Sequence, residues 1–159
     1  MARDDSLYQL VATRRLHWDN LIWQVPVLSL TAQAFLFTIA LGADTSRFAR
    51  VIAASLSLVV TFLSITLMAR HRQAALADQK WLEQYDEDHR PELVQQVHGQ
   101  TFAKRRDEQP LEAGWMDAII PIYPGFRTWV VGLSLFGMAA AAVLLVTLLI
   151  PSLLAAPTG

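Results

Sequence analysis

The stretch "RVIAASLSLVVTFLSITLMAR", Arg50 to Arg70, carries a charge at each end and none in the 19 residues between. A helix of about 20 apolar residues covers the ~30 Å hydrocarbon core of a bilayer. The polar residues within it are patterned. Stepping alternately by four and three from Arg50 gives Ala54, Ser57, Thr61, Ser64 and Met68, then His71, Ala75, Asp78, Leu82 and Tyr85. This is a heptad-like seam, small and hydroxylic in the apolar part and mixed beyond it. Such a face suits close helix packing, and it also suits a hydrated lining if several copies surround an axis. Packing is the first expectation, because Ser- and Thr-rich interfaces are ordinary in membrane bundles.

Two more charge-free windows flank this one. Asp19 and Asp44 enclose 24 uncharged residues, and no charge follows Thr128, where "TWVVGLSLFGMAAAAVLLVTLLI" stops at Pro151. The chain has 159 residues, 53% of them hydrophobic and 17% charged, with a mean hydropathy of +0.32. A soluble fold of this size cannot shield three fully apolar helices. The expected fold class is therefore an all-α integral membrane protein, with three transmembrane helices and a helical cytoplasmic segment between spans 2 and 3. Residues 1–20 read as a cytoplasmic or interfacial N-terminal helix, 21–41 as span 1, and 42–50 as a short external loop. Span 2 follows at 51–69, the cytoplasmic helical segment at 70–109, and a Pro- and aromatic-rich interfacial segment at 110–128. Span 3 occupies 129–150 and an external tail 151–159. No secretory signal peptide is read in "MARDDSLYQL".

Charge gives the orientation. Arg3, Arg14 and Arg15 precede span 1, and eight basic residues lie in 70–128, against Arg47 and Arg50 in the first loop and none in the tail. The positive-inside rule places the N-terminus and 70–128 in the cytoplasm, with the loop and C-terminus outside. The expected location is a bacterial inner, or plasma, membrane. Trp18 and Trp23 bracket the entry to span 1, while Trp115, Tyr123, Phe126 and Trp129 precede span 3, as suits interfacial anchors. Pro121, Pro124 and Gly125 predict an irregular path through "AIIPIYPGFRTW". Residues 6–18 are expected as a short surface helix capped at Ser6.

Within the spans, Pro26 falls in the first turns of span 1, where a missing donor is tolerable. Ser29 and Gln33 share a face, and a mid-span glutamine should bond to another helix or to water. Span 3 offers a small packing face at Ser134, Gly137 and Ala141. No span interior holds an ionisable residue, which argues against proton-coupled transport and charge-driven voltage sensing.

Beyond span 2, "RHRQAALADQKWLEQYDEDH" is rich in helix formers, so the helix should run on to about Asp88, with a new one starting at Pro91. The acidic "DEDH" reads as a solvated face, since it lacks a calcium loop. Lys104 to Arg106 is too short for a lipid-recognition cluster. His71, His89 and His98 lack two-His ligand spacing, and His71 on the seam is either a pH-sensitive or a plain interfacial contact. The absence of cysteine rules out disulfides and thiolate chemistry, and a net charge of −1 gives no general attraction to nucleic acid. No phosphate loop, nucleophile elbow or metalloprotease motif is present. The expectation is a non-enzyme with no catalytic, cofactor-binding or metal-binding residues and no cofactor.

A charged N-terminal segment, two spans joined by "GADTSRFAR" and a long cytosolic helix together resemble the SLATT-type two-transmembrane effectors associated with bacterial nucleotide-sensing defence systems. The likeness covers roughly residues 10–90 and is one of layout, from which the third span departs. It implies an oligomer that perturbs the membrane when a partner triggers it. The functional expectation is thus a homo-oligomeric helical bundle in the lipid bilayer acting as a pore-forming or membrane-perturbing effector. In that bundle Ser57, Thr61 and Ser64 would line the path. The alternative is a structural or accessory subunit with a dry seam, whose segment 70–109 docks a cytoplasmic protein partner.

Overall fold

A computed structural model describes residues 2–89 and 125–150, and every regular element among them is an α-helix. Helix α1 spans Ala2–Leu41, α2 spans Arg47–His89 and α3 spans Gly125–Leu149. All three are long and apolar enough to cross a membrane. At the usual rise, the 43 residues of α2 extend about 65 Å, so the apolar run and its charged continuation form one uninterrupted helix.

Helix α1 is longer than expected. The separate surface helix capped at Ser6 is not found, because the chain is already helical from Ala2 and stays so to Leu41. The physical reason lies in residues 2–25, which contain no Gly or Pro, and in Tyr8 and Val11, which bury a face one turn apart on Leu82. Pro26 lies inside the helix and is fully buried. Its ring removes one backbone donor, while nearby Ser29 Oγ donates to the Val25 carbonyl at 2.7 Å.

The turn between α1 and α2 is tight. Thr45 N donates to the Gly42 carbonyl, and Ser46 Oγ accepts from Ala49 N at 3.2 Å, the geometry of an N-cap. Helix α2 accordingly begins at Arg47, inside the expected 42–50 loop. A Cβ on Gly42 would stand 2.6 Å from Thr45 Oγ1, so the turn closes this tightly only around glycine. Helix α3 starts at Gly125, which corrects the irregular path expected for Gly125–Trp129. Pro124 opposes helix only in what precedes its ring, so a helix can start directly after it.

Two compact units divide the chain, Met1–Ile22 with Arg70–Pro124 and Trp23–Ala69 with Gly125–Gly159. In the first, α1 and α2 run antiparallel around Tyr8, Val11 and Leu82, with Ala12, Trp81 and Tyr85 packed against them. In the second, the usual distribution is inverted. Gln33, Ser57, Thr61, Ser29 and Ser64 are buried, while Leu28, Phe35 and Phe62 are 67–70% exposed. The helix from Pro91, Lys104–Arg106, His98, Trp115, Tyr123 and the 151–159 tail lie outside the described residues.

Candidate functional site

The second unit is organised by one amide. Gln33 on α1 donates from Nε2 to the Ser57 carbonyl at 2.9 Å and to Thr61 Oγ1 at 2.8 Å, both on α2. Ser57 Oγ in turn donates to Gln33 Oε1. Both amide protons and the amide oxygen are thereby engaged. One turn along each helix, Ser29 Oγ and Ser64 Oγ stand 2.5 Å apart. Repeats of four and three place these groups on one face of α2, and all five predicted seam residues, Ala54, Ser57, Thr61, Ser64 and Met68, are buried within a single chain. The described polar groups of the seam face α1 and bond to it.

Helix α3 joins the same cluster from another side. Gly137 is buried, and a Cβ there would lie 2.9 Å from Thr61 Cγ2, so α3 packs its backbone on the residue that Gln33 holds. Phe136 meets Phe37 with ring centroids 6.0 Å apart. The face of α3 that is buried comprises Leu133, Gly137, Ala140 and Thr147. Of the expected packing face, Gly137 belongs to it, whereas Ser134 and Ala141 are half-buried beside it. Ser134 Oγ turns back to the Val130 carbonyl at 2.7 Å.

Two arginines of the first turn close the helix ends. Arg50 is buried and donates from Nε to the Ala40 carbonyl at 2.9 Å and from Nη2 to the Gly42 carbonyl at 2.8 Å. Arg47 donates from Nε to the Thr147 carbonyl at 3.2 Å and from Nη2 to the Leu148 carbonyl at 3.1 Å. Helix C-termini leave carbonyls without intrahelical partners, and a guanidinium satisfies them while opposing the negative end of the dipole. Sequence reasoning counted both residues only as loop charges. Arg50 at least follows the end of α1, whose last turn lacks a basic residue, whereas Arg47 stands 100 residues from the Thr147 carbonyl it caps and carried no such signal.

The first unit carries the charged contacts. Arg14 grips Asp78 with Nη2 to Oδ1 at 2.5 Å and Nε to Oδ2 at 2.9 Å. The hydrogen bond and the attraction to Asp78 together hold the Arg14 guanidinium above its already high range. Trp18 stacks on His71 with centroids 5.5 Å apart and planes 25° apart. Further along α2, Tyr85 stacks on Trp81 and His89 and tilts against Tyr8, whose hydroxyl donates to buried Asp86 at 3.5 Å. Of the expected anchors, Trp18 and Trp129 are half-buried and Trp23 is exposed, with its ring lying over Gly125.

Chemically, this arrangement packs and orients. Among the described residues, no group of three His, Asp or Glu side chains converges as metal ligands. Among the described residues of the second unit, the buried serine and threonine hydroxyls bond to an amide, to one another or to backbone carbonyls, and none of these contacts joins one to a base that could activate it. Set against known proteins, the chain matches no family model, no curated protein and no solved structure.

Proposed function

We propose that this chain is a non-enzymatic multi-pass membrane protein that serves as a structural or accessory subunit, with a dry α2 seam and a segment at 70–109 that docks a cytoplasmic protein partner. Three apolar helices and an exterior of Leu, Val and Phe around a polar interior support insertion in a bilayer, where lipid replaces water as the outer solvent. The excess of basic residues in 1–20 and 70–128 supports an N-terminus inside and a C-terminus outside.

One observation favours the accessory reading over a pore, namely the complete engagement of Gln33 by Ser57 and Thr61 within one chain. A conducting path needs polar groups that water can reach. The face of α2 turned outward offers Ile52, Leu56, Val59, Phe62, Leu63 and Leu67 instead. An axis built on the seam would require α1 to leave it. The homo-oligomeric effector implied by the SLATT resemblance therefore needs a trigger that separates α1 from α2.

Planar-bilayer recording of the purified full chain tests this. No unitary currents are expected, and a disulfide formed between Ser29→Cys and Ser64→Cys should join α1 to α2 within one chain. Currents that disappear in the Ser57→Leu/Thr61→Leu variant would overturn the accessory reading and restore the pore.

A further inference from the structure

In the second unit α1 buries one face and leaves the other uncovered. Gln33 on the buried face is fully engaged. Gln24, half a turn away round the helix, is exposed and makes no hydrogen bond among the described residues. Stepping from Gln24 alternately by three and four gives Val27, Thr31, Ala34, Thr38 and Leu41, and all six are exposed. The stripe runs about 25 Å, most of the depth of a hydrocarbon core. Its composition sets it apart from the outer faces of the other helices. Every exposed residue of α2 between Arg50 and Arg70 is apolar, and so is every exposed residue of α3 from Val131 to Leu149. Within α1 an amide and two hydroxyls recur on the outer face every seven residues, the same repeat that Ser57 and Ser64 follow on the covered face of α2. Thr31 and Thr38 donate to the Val27 and Ala34 carbonyls at 3.1 and 2.9 Å, which leaves each hydroxyl oxygen able to accept.

We propose that this stripe is the contact between two copies of the chain, paired α1 to α1 about a two-fold axis along the membrane normal. The inference rests on the reading that the helices cross a bilayer, and it is independent of a partner docked at 70–109. A second copy is the occupant that the residue types fit. Copies inserted the same way run parallel, so the axis sets each stripe residue opposite its own copy. A carboxamide both donates and accepts, so two Gln24 side chains complement each other. No charge lies between Asp19 and Asp44, so no like charges are opposed along the stripe. Ala34, between the two threonines, lets the backbones approach as small residues do in membrane helix pairs. Polar residues at a heptad position also fix the register of a parallel pair. Lipid chains satisfy neither amide nor hydroxyl. The pairing uses the side of α1 turned away from α2, so the Gln33 cluster stays closed. It therefore differs from a bundle built around the α2 seam.

Oxidative cross-linking of the full chain in its own membranes tests the pairing. The chain has no cysteine, so Thr31→Cys introduces a single thiol at an exposed position. Copper phenanthroline should link it into a disulfide dimer, whereas Val59→Cys on the outer face of α2 should stay monomeric. Gln24→Leu/Thr31→Val/Thr38→Val keeps the shapes and removes the polar groups. It should weaken dimerisation about tenfold or more, read by energy transfer between labelled copies diluted in lipid vesicles. Should that triple variant fail to fold, the Thr31→Cys cross-link decides alone. A monomer at Thr31, a dimer linked through Val59, or dimerisation unchanged in the triple variant overturns the pairing. A Thr31→Cys adduct with a different protein and no self-link also overturns it, in favour of a foreign helix. Alkaline carbonate extraction of the same membranes separates the two readings. Release of the protein defeats the spanning helices, whereas an embedded monomer defeats the pairing alone.

Discussion

Gly137 and Gly132 lie five positions apart on α3 and respond differently to an added methyl group. At Gly137 a Cβ meets Thr61 Cγ2 at 2.9 Å, and Thr61 cannot readily yield because Gln33 holds its hydroxyl. At Gly132 nothing lies within 4 Å. Gly137→Ala should therefore push α3 off α2 and cost about 1–3 kcal/mol of helix-docking stability, as overpacking commonly does. Gly132→Ala should be neutral or stabilise by up to about 1 kcal/mol, from helix propensity alone. Equilibrium unfolding in bicelles, followed by tryptophan fluorescence, distinguishes them. Equal effects at the two sites would refute the close approach at Thr61. At this scale Gln33 was legible in the sequence, since a lone amide in an apolar span must find a partner. Which alanine of Ala139–Ala142 packs was not, because four identical residues carry no periodicity. Ala140 is buried, and Ala141 is half-buried.

Helix ends were the least legible elements. The α2 seam could be read because its four-and-three steps hold small residues in an otherwise bulky run. The caps could not, because they depend on where a neighbouring helix stops. Arg50 is the clearest case: a buried guanidinium reaches two carbonyls at the end of α1. Hydrogen bonds to a charged group are each worth about 1.5–3 kcal/mol, and removing the donor leaves buried carbonyls without partners. Arg50→Met should accordingly cost about 2–4 kcal/mol in the same unfolding measurement. Arg47→Met, which uncaps the more exposed end of α3, should cost no more than about 1 kcal/mol. A larger loss at Arg47 than at Arg50 would contradict this ranking. The Arg14–Asp78 pair behaves differently with pH. Because Asp78 raises the Arg14 pKa, the guanidinium's share of stability is fully present through neutral and mildly basic pH and is lost only far above it.

For the whole chain, the caps bear on orientation. The positive-inside rule weighs arginines that would resist translocation, and two of the chain's basic residues fall in the first turn. Both bond to helix carbonyls, Arg50 to Ala40 and Gly42 and Arg47 to Thr147 and Leu148. Their presence has a structural cause on whichever side of the membrane the turn lies. The orienting signal then reduces to residues 1–20 and 70–128, which agree with each other across the two spans between them. The chain contains no cysteine, so single introduced thiols report side without a background. Ser46 is unsuitable as a probe because its hydroxyl caps α2, whereas Ala43 is exposed within the turn. In intact cells a membrane-impermeant maleimide should label Ala43→Cys and spare Gln96→Cys until the membrane is permeabilised. Labelling at Gln96 with protection at Ala43 would reverse the orientation.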